Sequence, residues 1–185
     1  MVCSGDQVRL NCGCGGYHLI GWVNIDANPK VAADRHLELP PIPYDDGSVT
    51  EIFAGHMLEH LTRNDAAEFL RECYRVLEPG GKLCLVTPDT HEIMRRWIEG
   101  DLGLMQFPHN VWWKIDNLET INRLFLYSTV QDSPHLWSWD ADTLTTVMTI
   151  AGFEGLHEID RYDDTRLGSG AWYQVGIEGV KPCAS

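Results

Sequence analysis

Short apolar runs alternate along this chain with apolar positions at helical spacing, the rhythm of a mainly parallel sheet with helices on its faces. Val8 to Cys12 predicts a first strand running straight into glycines, and Trp22-Val23-Asn24-Ile25-Asp26 a second, apolar until its acidic end. A short third strand is expected at Val31 to Ala33, a fourth at Glu51-Ile52-Phe53-Ala54 and a fifth at Lys82 to Thr87. Between the last two, Phe69, Leu70, Cys73, Val76 and Leu77 share one helical face and predict a helix over Asn64 to Leu77. Thr62 with Asp65 forms its capping pair, and Pro79-Gly80-Gly81 is expected to stop it. A second helix starts at Asp140, carries Leu144, Val147, Met148 and Ala151, and has Gly152 for a left-handed cap. Leu156 to Tyr162 and Ala171 to Gly179 then predict two strands that close the sheet as an antiparallel pair.

The stretch His91 to Pro134 departs from this rhythm, being rich in Trp, Phe, Leu and Met without a clear strand. Irregular helices covering the sheet edge are expected there. With no repeat, low-complexity tract or linker, residues 1–185 predict one domain, in which 91–134 form a lid or substrate-side insertion.

Composition narrows the function. Hydrophobic residues are 44% and charged residues 22% of 185, the balance of a globular chain. The net charge of −13, from 27 acidic and 14 basic side chains, repels phosphate backbones and disfavours a nucleic-acid partner. No apolar run approaches the roughly 18 residues of a membrane span, and residues 1–6 lack the features of a signal peptide. A cytoplasmic protein is expected, with its six cysteines as reduced thiols. Cys12 and Cys14 read as small residues in a crowded turn, with metal binding the lesser alternative, and no metal site is expected.

The chemistry begins at Asn11-Cys12-Gly13-Cys14-Gly15-Gly16, where a strand ends in a turn whose backbone amides can approach a ligand. Such a turn can also bind nothing. Asp26 sharpens it, because an acid ending the second strand lies beside that turn and can accept hydrogen bonds from two ribose hydroxyls. Tyr17 and His18 stand where a dinucleotide fingerprint would place a later glycine, so a nicotinamide or flavin is the weaker reading. The Pro- and Asp-rich segment from Asp34 to Ser48 is either a surface connection or the source of a carboxylate for an adenine amino group. His56-Met57-Leu58-Glu59-His60 matches the H-x-x-E-H pattern of a zinc-peptidase group. That chemistry requires both histidines on one helical face and a third ligand. Because the pentapeptide follows a buried-type strand, a cofactor-side turn with His56 near the ligand is preferred, and a zinc hydrolase using His56, Glu59 and His60 is the alternative.

Taken together, these runs resemble the class I S-adenosylmethionine-dependent methyltransferases, and more narrowly a bacterial and phage group of small predicted methyltransferases. The resemblance rests on Leu10 to Gly15, Gly21 to Asp26, His56 to Leu61, Phe69 to Gly81 and Thr87-Pro88-Asp89, with Trp139-Asp140 to Phe153 resembling the last helix. It implies a Rossmann-like α/β fold: a seven-stranded, mostly parallel sheet with the last strand antiparallel and helices on both faces. It implies S-adenosylmethionine as cofactor, with Gly13, Cys14 and Gly15 facing the methionine part and Asp26, with Ala27 beside it, the ribose. Asp34 would face the adenine side, and Gly55 with His56 the sulfonium end. Three positions depart from the pattern: Asn11 replaces a common acid, Tyr17 a third glycine, and Thr50 an Asp before the fourth strand.

Methyl transfer is an in-line displacement that the protein assists by alignment and exclusion of water. A general base for an oxygen or nitrogen acceptor could be Asp89, His135 or His109. Phe107, Trp112, Trp113, Phe125, Tyr127, Trp137 and Trp139 could wall a ring or sugar, or simply pack. The expected partner is a small-molecule or glycan acceptor, and the expected state a monomer or homodimer away from membranes. A third reading is a cofactor-binding partner protein without catalysis.

Overall fold

In a computed structural model that describes residues 7–101, 135–160, 166 and 172–183, strand β1 (Arg9–Cys12) forms the inner rail of a sheet. It pairs in parallel with β2 (Val23–Asp26) on one side and β4 (Val49–Gly55) on the other. With β3 (Arg35–His36), β5 (Leu77–Pro88), β6 (Glu154–Glu158) and β7 (Gln174–Val180), the order is β3-β2-β1-β4-β5-β7-β6. Strand β7 runs antiparallel between β5 and β6. The seven strands and the reversed last one agree with the fold expected from the sequence.

Strand alternation sorts the side chains into two layers. Leu10, Ile25, Ile52, Leu83, Leu85 and Ile177 join a large core with Phe69, Leu70, Cys73 and Val76 of helix α1 (Arg63–Val76). Phe53, Cys84 and Val86 point the other way and pack with Ile159, Leu19 and Trp22. Helix α3 (Ala141–Ile150) adds Leu144 and Met148 to the large core. Gly152, at φ +100°, ends it as expected, and the Phe153 amide reaches the Met148 carbonyl at 3.0 Å, closing a Schellman-type cap.

Several boundaries differ from the sequence expectation for identifiable reasons. The third strand lies at Arg35–His36 because the Val31 and Ala33 amides are spent on local turn bonds to the Asn28 and Val31 carbonyls. Thr62 caps α1 as expected, accepting from the Asp65 amide at 3.2 Å, but Pro79-Gly80-Gly81 does not stop the helix. Leu77, fully buried, turns extended and starts β5 at once, paired with Val49. The Pro-Gly-Gly segment is then absorbed as an irregularity between the Val49/Leu77 and Glu51/Lys82 pairs, with Gly80 at φ +84°. Strands β6 and β7 begin at Glu154 and Gln174, not at Leu156 and Ala171, since Phe153 completes the preceding cap and residues 172–173 form a turn.

Where irregular helices were expected, the chain opens with a regular one, α2 (Thr90–Glu99), capped by Asp89 at its start and by left-handed Gly100 at its end. Residues 102–134 lie outside the described residues, and with them His109, Phe107, Trp112, Trp113, Phe125 and Tyr127. The chain re-enters at His135 and is stitched to the body by the Leu136 amide on the Glu59 carbonyl, 2.7 Å, and the Thr90 amide on the Trp139 carbonyl, 3.0 Å.

The connection before β4 is held by one arginine. Arg75 on α1 donates to the carbonyls of Ile42 and Tyr44, both at 2.9 Å, to Asp46 at 2.7 Å and twice to Glu72. Glu72 in turn accepts the Ile42 amide at 2.9 Å. The hydrogen bond from Arg75 holds the Glu72 carboxyl below its usual range. Arg75→Ala is expected to cost about 2 kcal/mol, since several charge-assisted bonds go and Glu72 is left mostly buried. A melting temperature lower by roughly 4–8 °C would report it. Arg75→Lys should recover little, because an ammonium cannot span this fork. Melts indistinguishable from the parent would show that the clamp carries no stability.

Candidate active site

The glycine turn is built on β1 and tied to the end of β2. The Cys14 amide donates to the Ile25 carbonyl at 2.9 Å, and the Gly15 amide to Asp26 Oδ2 at 2.8 Å. Asp26 Oδ1 accepts the Asn28 amide, also at 2.8 Å. The carboxylate is thus aimed by two backbone donors and keeps further lone pairs for a ligand. No helix follows this turn: residues 13–22 reach β2 through turns and extended segments. What the turn brings to a ligand is its own backbone at Gly13, and not a helix terminus.

Beneath the turn lies a buried amide ladder. Asn11 donates to Asn24 Oδ1 and to the Tyr17 carbonyl, both at 2.9 Å. Asn24 donates to Asp34 Oδ2 from its backbone at 2.8 Å and from its side chain at 2.9 Å. Asn11 therefore acts as a donor, which an acid at this place could not be when ionised. The backbone bond from Asn24, then the side-chain bond, holds the Asp34 carboxyl below its usual range.

A cavity of about 460 Å³ opens at these strand ends, within the range of small-ligand sites. Gly13, Asp26, Ala27 and Asn28 form one wall, Leu37 to Pro40 a second, and His56, Met57, His60 and Leu61 a third, with Leu136 at the rim. Of the residues expected to hold a cofactor, Gly13, Asp26, Ala27 and His56 come together here. Gly15 sits behind them as a donor to Asp26, and buried Cys14 beside it. Gly55 is required by packing, because a Cβ there would stand 2.9 Å from the Phe53 ring. Asp34 lies outside the lining, fixing Asn24, and the carboxylate that the Asp34 to Ser48 segment brings to the wall is Glu38. Nothing in the local sequence distinguished Glu38, Asn28 or Met57, since each becomes cavity lining only through chain packing.

The His56 to His60 segment does not form the helix a zinc peptidase needs. His56 has φ +53°, a left-handed conformation uncommon outside glycine, and Leu58–His60 make a 3₁₀ turn. The His56 ring is held on both sides, by Glu59 Oε1 at 3.2 Å from Nδ1 and by Gln174 Oε1 at 3.1 Å from Nε2. Burial alone would push its pKa down, but the hydrogen bond and charge of Glu59 outweigh it and the net direction is up. Burial likewise opposes the Glu59 carboxylate, and His56 pulls it back below its usual range. His56, Glu59 and His60 are thus not assembled around a common point as the hydrolase alternative requires.

Asp89, expected as a general base, uses its carboxylate to cap α2, accepting the Glu92 amide at 3.1 Å, and does not line the cavity. His135 stands beside His60, the two ring centroids 4.9 Å apart. Trp139 is buried and Trp137 partly exposed. Burial pushes the Cys12 thiol to about 12 and the Cys14 thiol to about 11, so neither is a thiolate at neutral pH.

An open α/β sheet in the order 3-2-1-4-5-7-6, with a nucleoside-sized cavity at the ends of its first, second and fourth strands, defines the class I methyltransferase fold. Residues 10–85 match the family model described as a methyltransferase domain, and the sheet is that of the class I S-adenosylmethionine-dependent methyltransferase fold. A Mycolicibacterium smegmatis protein described as a probable S-adenosylmethionine-dependent methyltransferase is 42% identical over 55 residues, 30% of this chain and 21% of that protein. The match therefore spans only 21% of that curated relative's length. Among solved structures, a SAM-dependent methyltransferase from Thermotoga maritima superposes with a TM-score of 0.60 at 15% identity, over 97% of this chain and 84% of that one. One from Mesorhizobium loti gives 0.59 at 14%, over 97% and 93%. The methyl donor of the class is S-adenosylmethionine. The residues present fit it: a pre-aimed carboxylate for a diol, the Gly13 backbone at the cavity wall, and apolar walls from Leu37, Leu39 and Met57.

Proposed function

We propose that this chain transfers a methyl group from S-adenosylmethionine to a small-molecule or sugar-type acceptor in the cytoplasm, as a monomer or homodimer. The observation that carries the reading is Asp26, held at the cavity wall by the Gly15 and Asn28 amides beside a glycine turn. When bound, the donor supplies a methyl carbon on a sulfonium sulfur, and the chain's own residues hold and align. Asp26 takes the ribose, with Ala27 beside it. Gly13, Cys14 and Gly15 present the turn to the methionine part, with Gly55 and His56 at the same end. The His56 ring, held from both sides by Glu59 and Gln174, is fixed in place at the cavity wall, so we place it as a positioning group. Glu38 replaces Asp34 as the carboxylate on the adenine side, because Glu38 lines the cavity.

The −13 charge favours a neutral or cationic acceptor over nucleic acid, and among the described residues no helix is long and apolar enough to cross a membrane. Of the base candidates among the described residues, His135 stands beside His60, which lines the cavity, while Asp89 caps a helix; His109 lies outside the described residues. The test is calorimetry with S-adenosylmethionine and its demethylated product, followed by a labelled-methyl screen against sugars, metabolites and proteins. Binding of both forms and label transfer to one acceptor class is expected. Binding of neither would overturn the reading.

A further inference from the structure

We propose that Glu59, His60 and His135 form a site for a divalent transition-metal ion at the rim of the donor cavity. A carboxylate oxygen of Glu59 and one ring nitrogen from each histidine all lie within 4.8 Å of one another. Glu59 and His60 come from the 3₁₀ turn after β4, whereas His135 arrives on the returning segment. The amides of Leu136 and Trp137 dock that segment on the Glu59 carbonyl at 2.7 and 3.2 Å, so the three ligands share one backbone anchor.

The second observation is the Glu59 side chain itself. It is 2% exposed, its Oε1 is engaged by His56, and its buried Oε2 has no hydrogen-bond partner among the described residues. A buried carboxylate oxygen without a partner is costly, and a cation would satisfy it. The His56 contact on Oε1 is the kind of outer-shell bond that orients a ligating carboxylate.

Two imidazoles and one carboxylate are a donor set suited to zinc, cobalt or iron in the divalent state. Ligand atoms sharing one tetrahedral ion at about 2.1 Å sit roughly 3.4 Å apart, so loading would draw these side chains together. His60 and Leu136 both line the cavity, so the three ligands stand beside it. There a water or an acceptor hydroxyl could bind. That last role rests on the methyltransferase reading, whereas ion binding does not. The set also differs from the zinc-peptidase pattern, because His135 takes the place of His56.

The test uses the full chain, stripped with a chelator and titrated with Zn²⁺ by calorimetry and with Co²⁺ by visible absorption. One ion per chain is expected, with a Co²⁺ spectrum showing nitrogen and oxygen ligation and a higher melting temperature. Glu59→Gln and His135→Ala should each weaken binding by roughly 10–100-fold, while His157→Ala, at an exposed histidine on β6, should not. The Co²⁺ spectrum of the unaltered chain serves if a variant fails to fold. No ion bound up to millimolar concentration, or affinity unchanged in both ligand variants, overturns the site. Binding of S-adenosylmethionine to the stripped protein is measured separately: if it occurs without any ion site, only this inference fails, and if ions bind but the donor does not, only the methyltransferase reading fails.

Discussion

Asp26→Ala is expected to weaken binding of S-adenosylmethionine and of its demethylated product by about 10²–10⁴-fold. Two charge-assisted hydrogen bonds to ribose hydroxyls are worth roughly 1.5–3 kcal/mol each, and every 1.4 kcal/mol or so is a factor of ten. The substitution also frees the Gly15 and Asn28 amides, which Asp26 holds at 2.8 Å, so the turn loses its aim along with its acceptor. Asp26→Asn separates the two effects. It keeps one carbonyl oxygen for the turn or the ligand but replaces the other with a donor, and an intermediate loss is expected. Calorimetry with both ligands measures the change, with circular dichroism to confirm folding. Undiminished affinity in folded Asp26→Ala would mean that the donor does not lie along β2, and the placement argued above would be wrong.

Gly13→Ala carries the largest expected stability effect, about 2–5 kcal/mol. Gly13 has φ +68°, where a side chain costs roughly 1–2 kcal/mol. An added Cβ would stand 2.7 Å from both Cβ and Cγ of Met57, and overpacking of that kind costs about 1–3 kcal/mol more. For a domain of this size the melting temperature should fall by roughly 4–20 °C. The double variant Gly13→Ala with Met57→Ala should regain the steric part and not the backbone part. An unaltered melt for the single variant would show that the turn and the post-β4 segment do not approach each other as closely as described. Because Gly13 and Met57 both line the cavity, donor affinity should fall with stability in the single variant and partly return in the double.

The two predictions draw on different kinds of information. Asp26 was legible in the sequence, since an apolar run that ends in an acid beside a glycine turn is a local pattern. The caps at Thr62 and Gly152 were legible for the same reason, each depending on a few neighbouring residues. Pro79-Gly80-Gly81 misled because turn chemistry was judged without knowing that Leu77 is buried and paired with Val49. The use of Asp34 against Asn24 was not legible: it depends on how the β2–β3 connection folds back, which no spacing reveals.

By itself, then, the sequence determined the element types, the strand-to-turn junction at Cys12-Gly13, the acid at the end of β2 and the class of fold. These follow from periodicity and from backbone preferences that act within a few residues. Only the tertiary structure decided that Glu38 rather than Asp34 faces the cavity, that both His56 nitrogens are held by Glu59 and Gln174, and that His135 returns beside Glu59 and His60. Such meetings are set by strand order and by how loops fold back on the core, free energies summed over the whole chain and written in no single segment of it.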